Sequence, residues 1–288
     1  MEDAILKGLL YLEDNISNFL KIDKLATDKE NQLKSFVELV FFYNLLPEST
    51  REKKRFNFID SFISSRVETI PFINLFEENI NALAGLATIE EYFLLSGKRY
   101  FSDYLKKIVV RDKFDLQMNK VPFRQLDNKY SLNRAGIKDN LASYDELYSK
   151  TVLGKKLSPF YYSENYMYSL THTIFYITEM GRGWNLSSIE KTDIVSTLKF
   201  LIVDRILEKD LDILGELVLC AIFLNLESEL SSLLKYAKSI LLINQKNNGG
   251  FPAPKEWVYE SSYEEFRNIY HTTIVCLGAL IWCHEKNI

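Results

Sequence analysis

Glycine and proline are scarce in this chain, 11 and 6 among 288 residues. So few breakers disfavour turn-dense β architecture and point to long regular segments. Cysteine is scarcer still and odd in number. Cys220, Cys276 and Cys283 all fall inside apolar runs with helical spacing, which implies no disulfide framework and predicts buried, reduced thiols. Positive charge is not in excess. With 35 Lys and Arg against 39 Asp and Glu, the net charge is −4 and the pI near 5.6. That is the wrong sign for a partner held through its phosphates, so nucleic acid is excluded. Long hydrophobic runs are missing too: the longest, 217–224 and 274–283, fall well short of the ~20 residues that span a bilayer. The acidic opening Met1-Glu2-Asp3-Ala4 has no secretory character. A cytoplasmic protein without a membrane span is the expectation. A P-loop, a dinucleotide glycine fingerprint, a Gly-x-Ser-x-Gly elbow and a His-Glu-x-x-His motif are all lacking, which removes the commonest nucleotide, hydrolase and metalloprotease readings.

Aromatic surface is what the chain has in plenty, with 17 Tyr and 19 Phe in a composition that is 47% hydrophobic. Rings supply large areas at low rotameric cost and suit a protein with much wall to line. Apolar residues recur at spacings of three and four almost throughout, without a run of alternation. The spacing predicts twelve helices, near 3–20, 31–46, from 51 after a Ser49-Thr50 cap, 71–95, 100–110, 122–135, 143–153, 163–180, 187–207, 211–226, 229–245 and 263–284. No stretch is polar enough to be a linker, so one domain over 1–288 is expected. In the second half two sorts of helix alternate. The segments 187–207 and 229–245 carry a charged face, with Glu190, Lys191, Lys199, Glu229 and Lys235, whereas 211–226 and 270–283 are apolar nearly all round. Charged-faced helices lie at the surface and apolar ones are covered on every side. Strict alternation of the two describes an outer and an inner ring: an all-α fold, an α/α toroid of about six hairpins. An open α-solenoid or an irregular bundle is the competing arrangement.

Two segments resemble known families. Gln245-Lys246-Asn247-Asn248-Gly249-Gly250-Phe251 resembles the Gln–Trp repeat of triterpene cyclases and the Gly-Gly-Phe turns of protein prenyltransferase β subunits. Tyr270-His271-Thr272-Thr273, followed by Cys276-Leu277-Gly278, is similar to the last inner helix of those β subunits, and Leu170-Thr171-His172-Thr173 is a weaker copy. The resemblance covers about forty C-terminal residues. It implies the toroid, a role in biosynthesis with cyclisation among the reactions to expect, and a zinc-ligand position at His271. Three departures accompany it. The segment 211–214 has Asp212 but not the cysteine that completes the zinc set. Asp210 and Asp212 stop one carboxylate short of the alkene-protonating motif. Cys283-His284 stands at the chain end rather than where lanthionine cyclases place their pair. None of the three chemistries carries over intact.

Polar residues on a covered helix belong on a cavity or at a cap, because burial against apolar neighbours is costly. Asp212, Glu216, Leu219 and Phe223 share one stripe; Tyr168, His172, Phe175 and Glu179 share another; Arg267, His271, Ile274 or Val275 and Gly278 a third. His172, His271 and Glu216 then reach one space at similar depth, with Asp212 beside them, a set able to divide general-acid and general-base roles near neutral pH. The same groups offer a divalent metal such as zinc an open site, as a secondary reading. Tyr168, Phe175 and Phe223 are expected to wall the cavity, with Thr173 beside His172. On 122–135, Asp127, Tyr130 and Arg134 share a face, and Arg124 or Arg134 suits a carboxylate or phosphate on a ligand. Glu179 is expected to pair with Arg182. The expected function is an enzyme doing acid–base chemistry on a small organic molecule. The alternatives are a non-catalytic toroid binding a peptide or protein, and a glycosidase pairing Glu216 with Glu77 or Glu78, for which three Trp leave little sugar-stacking surface.

Overall fold

The computed structural model describes residues 1–22, 25, 27–79, 82–118, 120–187, 191–254 and 258–288. Among them the chain is helical without a strand, as the periodicity requires. Helices α1 (Glu2–Asp14), α2 (Lys29–Leu45), α3 (Glu48–Arg51) and α4 (Asn57–Thr69) come first. Next follow α5 (Phe72–Glu77), α6 (Leu83–Leu95), α7 (Ser102–Leu105) and α8 (Pro122–Arg134), the last with Pro122 in its first turn. Then come α9 (Tyr144–Ser149), α10 (Glu164–Ile177) and α11 (Lys191–Glu208). The chain finishes with α12 (Leu211–Phe223), α13 (Ser231–Asn244) and α14 (Ser262–Glu285).

Several boundaries differ from the sequence expectation, each for a local reason. Thr50 does not cap a helix; it is buried, and its hydroxyl donates to Glu285 at 2.8 Å, so α3 is short and α4 begins only at Asn57. The segment 71–95 is two helices, because the polar run Glu77-Glu78-Asn79 ends α5 and the Asn79 N–H turns back to the Phe76 carbonyl. After α7 the chain widens into a π-helical stretch, Lys106–Arg111. Helix α10 stops at Ile177, short of 180, since Glu179 and Met180 take left-handed backbone with φ of 47° and 56°. Glu190, part of the charged face expected for 187–207, lies outside the described residues.

Covered and surface helices separate as their composition directs. Every residue of α12 is buried, Asp212 and Glu216 included. Its N-terminus is capped by the Asp210 carboxylate, which accepts the Ile213 N–H at 3.2 Å. Helix α2 packs on α6, α6 on α8, α8 on α10, α10 on α12, α12 on α14, and α14 returns to α2. The contacts join like ends. Gln32 meets Tyr263 near the starts of α2 and α14, while Asn44 meets Glu91, and Arg134 meets Glu91, near the ends of α2, α6 and α8. Contacts also advance together from α8 to α10 (Phe123–His172, Tyr130–Tyr176), α10 to α12 (Tyr168–Asp212, Thr171–Glu216) and α12 to α14 (Asp212–His271, Phe223–Trp282), so the six helices run in one direction. Helix α1 packs on α14, α4 on α2, α9 on α8, α11 on α12, and α13 on both α12 and α14.

Two glycines make this packing possible. A Cβ on Gly215 would stand 2.8 Å from a Val275 methyl, so α12 and α14 approach as closely as they do only because position 215 carries none. Gly249, at φ +90°, lies so close to the Lys7 carbonyl that a Cβ would fall 2.0 Å from that oxygen. In the same turn the Gln245 amide donates to the Gly249 and Ala4 carbonyls, each at 2.9 Å, tying the end of α13 to α1. Phe251, fully buried, follows that turn. The C-terminal ends of α2, α6 and α8 are joined by an arginine network, to which Arg182, just beyond α10, contributes. Arg134 binds Glu91 at 2.7 Å, Arg182 donates to the Tyr130 hydroxyl at 2.8 Å, and Arg182 and Arg51 both donate to the Asn44 carbonyl. Cations suit this end, where unpaired helix carbonyls accumulate.

Candidate active site

A cavity of about 380 Å³ lies among the six helices. Phe41 and Phe42 of α2, Phe175 and Tyr176 of α10 and Leu219 of α12 form much of its apolar wall. Its polar lining brings together His172 of α10, Glu216 of α12 and His271 of α14, three residues placed on one space by sequence spacing, together with Arg124 and Asp127 of α8. Arg124 and Lys34 have side chains 50% and 63% exposed, which locates the mouth toward the N-terminal ends of the helices.

On the wall His271 is paired with a carboxylate behind it. His271 Nδ1 donates to Asp212 Oδ1 at 2.8 Å, and the Tyr168 hydroxyl donates to Asp212 Oδ2 at 2.7 Å. Burial alone would raise the Asp212 carboxyl. The His271 charge, and hydrogen bonds from His271, Tyr168 and Thr272, outweigh it and hold the group below its ordinary value. His271 is opposed by burial as well, yet the charges of Asp212 and then Glu38 push it up to about 10. At neutral pH this is an imidazolium bound to a carboxylate.

Glu216 is in the opposite condition. Burial, then the Asp212 charge, push its carboxyl up to about 8, so it carries a proton at neutral pH. The Thr171 hydroxyl donates to its Oε2. His172 is neutral: burial, then the Arg124 and His271 charges, push it down to about 3. Its Nδ1 lies 3.0 Å from the Tyr168 carbonyl, which fixes the proton on Nδ1 and leaves Nε2 as the acceptor. The rings of Phe123, Tyr168, Phe175 and Tyr176 surround it at centroid distances of 5.7–6.2 Å. His172 Nδ1 and Glu216 Oε2 are 3.7 Å apart; with one group neutral and the other protonated they form no ion pair.

Other expected residues are placed elsewhere. Tyr168 and Asp212 support His271 rather than line the cavity. Thr173 is fully buried with its hydroxyl on the Ser169 carbonyl, since one helical step from His172 turns it away from the cavity. Phe223 is buried between Phe175 and Trp282, with centroids 5.6 and 5.3 Å away. Tyr130 and Arg134 belong to the network at the far ends of the helices. The misplacements of Phe223 and Arg134 share one cause. A stripe fixes angle, but seven residues along it is about 10 Å of depth, so Phe223 lies well below Glu216 and Arg134 below Asp127. Arg182 Nε donates to the Glu179 backbone carbonyl and not to its carboxylate, while Nη1 and Nη2 go to Asn44, Tyr130 and Glu91, and Arg267 pairs with Asp28 at 3.2 Å. Glu77 accepts from Tyr104 and Glu78 pairs with Lys29, so neither is engaged with Glu216 in the way a glycosidase pair needs. Among the described residues no three His, Cys, Asp or Glu side chains are disposed to hold a metal ion. No helix among them is long and apolar enough to cross a membrane.

The α2 wall and Glu38 escaped the sequence reading. A signal was present: Phe36 and Val40 on one side of α2, with Phe41 and Phe42 on another, make it apolar on more than one face. Thr171 was visible only as a neighbour of His172.

A family model described as "Domain of unknown function (DUF6895)" matches residues 8–281. No curated protein and no solved structure matches the chain.

Proposed function

The chain belongs to the DUF6895 family, and we propose that it is an enzyme that moves protons on a small, largely apolar organic molecule held at the centre of an α/α toroid. The toroid reading is supported by the cycle of six co-directional helices, with α1, α4, α9, α11 and α13 packed on its members. A double ring of this kind leaves a central hollow that side chains from every inner helix reach, and about 380 Å³ is a volume suited to a small ligand.

One observation carries the enzymatic reading: Glu216, His172 and His271 converge on the wall of one apolar cavity, in surroundings that push Glu216 and His271 up and His172 down. Environments that push neighbouring titratable groups apart assign them different tasks. Glu216 is the proton donor, with an acidity close to working pH, where general acids are most effective. His172 Nε2 is the acceptor. The His271 imidazolium, held by Asp212, supplies a fixed positive charge where negative charge develops on the reacting molecule. A cyclisation is one reaction of this class.

Purified protein incubated with a small-molecule cell extract in D₂O tests the reading by mass spectrometry. A proton-moving enzyme changes the amount of at least one compound or loads it with deuterium, and the Glu216→Gln protein does not. If wild type and Glu216→Gln leave the extract identical, the cavity is a binding site without chemistry.

A further inference from the structure

On the cavity wall Arg124 differs from His271 and Glu216, and at the mouth it is joined by Lys34, whose Nζ lies 3.9 Å from Glu38 Oε1. His271 has Asp212, and Glu216 has Thr171 and its own proton. Among the described residues no acceptor takes a hydrogen bond from the Arg124 guanidinium. Its nearest carboxylate is Asp127, with Nη1 and Oδ2 3.6 Å apart. That carboxyl is otherwise engaged: Ser131 and Tyr176 hydrogen-bond to it, and burial raises it, which weakens its hold as a counter-ion. The guanidinium is kept in place by the Phe123 ring beneath it, 5.1 Å from the centroid, and it is half exposed at the mouth.

We propose that the cavity receives an organic anion, an apolar body bearing one carboxylate or equivalent oxyanion, and that Arg124 docks the anionic group. The proposal rests on the acid–base reading of the same site and names its substrate class. A guanidinium with all its N–H donors unspent matches the two oxygens of a carboxylate in a bidentate grip. The body of such a molecule then lies along Phe41, Phe42 and Phe175 and reaches Glu216. The position also has a chemical consequence. The Phe123 ring neighbours both Arg124 and His172, 6.2 Å from the imidazole centroid, and after burial the Arg124 charge is the largest cause of the low basicity of His172. An anion seated on Arg124 cancels that charge and makes Nε2 a better acceptor when substrate is present.

Two dyes with one skeleton test this. 8-Anilinonaphthalene-1-sulfonate carries a sulfonate, and N-phenyl-1-naphthylamine is the same skeleton without it. Both are titrated by fluorescence into wild type and Arg124→Gln, whose thermal midpoints are compared first to confirm folding. Wild type is expected to bind the sulfonate about tenfold more tightly than the neutral dye. Arg124→Gln is expected to lose about tenfold for the sulfonate and less than about twofold for the neutral dye. Equal binding of the two dyes by wild type, or sulfonate affinity that survives Arg124→Gln, overturns the proposal. Either result leaves the deuterium experiment on Glu216 to judge the chemistry separately.

Discussion

His271 Nδ1 lies 2.8 Å from Asp212 Oδ1, a contact between residues on α14 and α12 that gives both groups their charge inside a helix cluster otherwise rich in leucine and phenylalanine. Two charges at this depth are tolerable only together. Removing His271 leaves the Asp212 carboxylate buried and unpaired, and removing Asp212 leaves a partly exposed imidazolium without its counter-ion.

Asp212→Ala is accordingly expected to destabilise the protein by about 3–5 kcal/mol in urea unfolding. The double variant Asp212→Leu/His271→Leu should be markedly less destabilised than the two single changes added together. Additive single and double variants would mean that the pair is not coupled.

Stability should fall as pH rises above neutrality, through two groups. His271, with an ordinary value of 6.5 raised to about 10, contributes stability that is complete below 6.5 and is lost as pH rises toward 10. Glu216, with an ordinary value of 4.5 raised to about 8, contributes stability present below 4.5 that declines until about 8, because the unfolded chain ionises first. His172 acts in the other direction. Its lowered value means that stability grows as pH climbs from about 3 to 6.5. Each group sets a slope of at most about 1.4 kcal/mol per pH unit. Denaturant midpoints measured from pH 5 to 10 should therefore decline most steeply between 6.5 and 8. Glu216→Gln should flatten that stretch while leaving the 8–10 arm, which belongs to His271.

Glu216→Gln keeps the shape and an acceptor for Thr171 but has no acidic proton. Turnover of the compound identified in D₂O should drop by about 10²–10⁴-fold, with KM changed far less. A comparable rise in KM with kcat intact would make Glu216 a binding group instead.

Gly215→Ala would press a methyl group against Val275, 2.8 Å away, in a tightly packed contact. A loss of about 1–3 kcal/mol is expected. Because Val275 sits one turn beyond His271 on α14, activity should fall with it. Unchanged stability would show that the α12–α14 spacing is loose.

At the far ends of the helices, Glu91→Ala leaves Arg134 and Arg182 without their shared buried carboxylate. It should cost about 3–5 kcal/mol while dye binding at Arg124, in the mouth of the cavity, is retained. Loss of dye affinity in a folded Glu91→Ala protein would show that the two ends are linked.

What the sequence determined by itself is whatever depends on short spacing. Apolar residues three and four apart produced the helices. The apolar circumference of 211–223 identified a covered helix, and single stripes carried His172, Glu216 and His271 to a common space. Helix ends were less legible, since left-handed backbone at Glu179 and Met180 and the buried Thr50–Glu285 contact obey no local rule of propensity. Only the tertiary structure decided depth along each helix, which moved Phe223 and Arg134 off the cavity. It alone brought α14 back to α2, supplying the Phe41 and Phe42 wall. It also set the protonation states: Asp212 and His271 are 59 residues apart in the chain, and Thr171 and Glu216 are 45 apart. Periodicity is a property of neighbours in sequence, whereas charge and desolvation act through space, so the chemistry of these side chains exists only once the helices have closed around them.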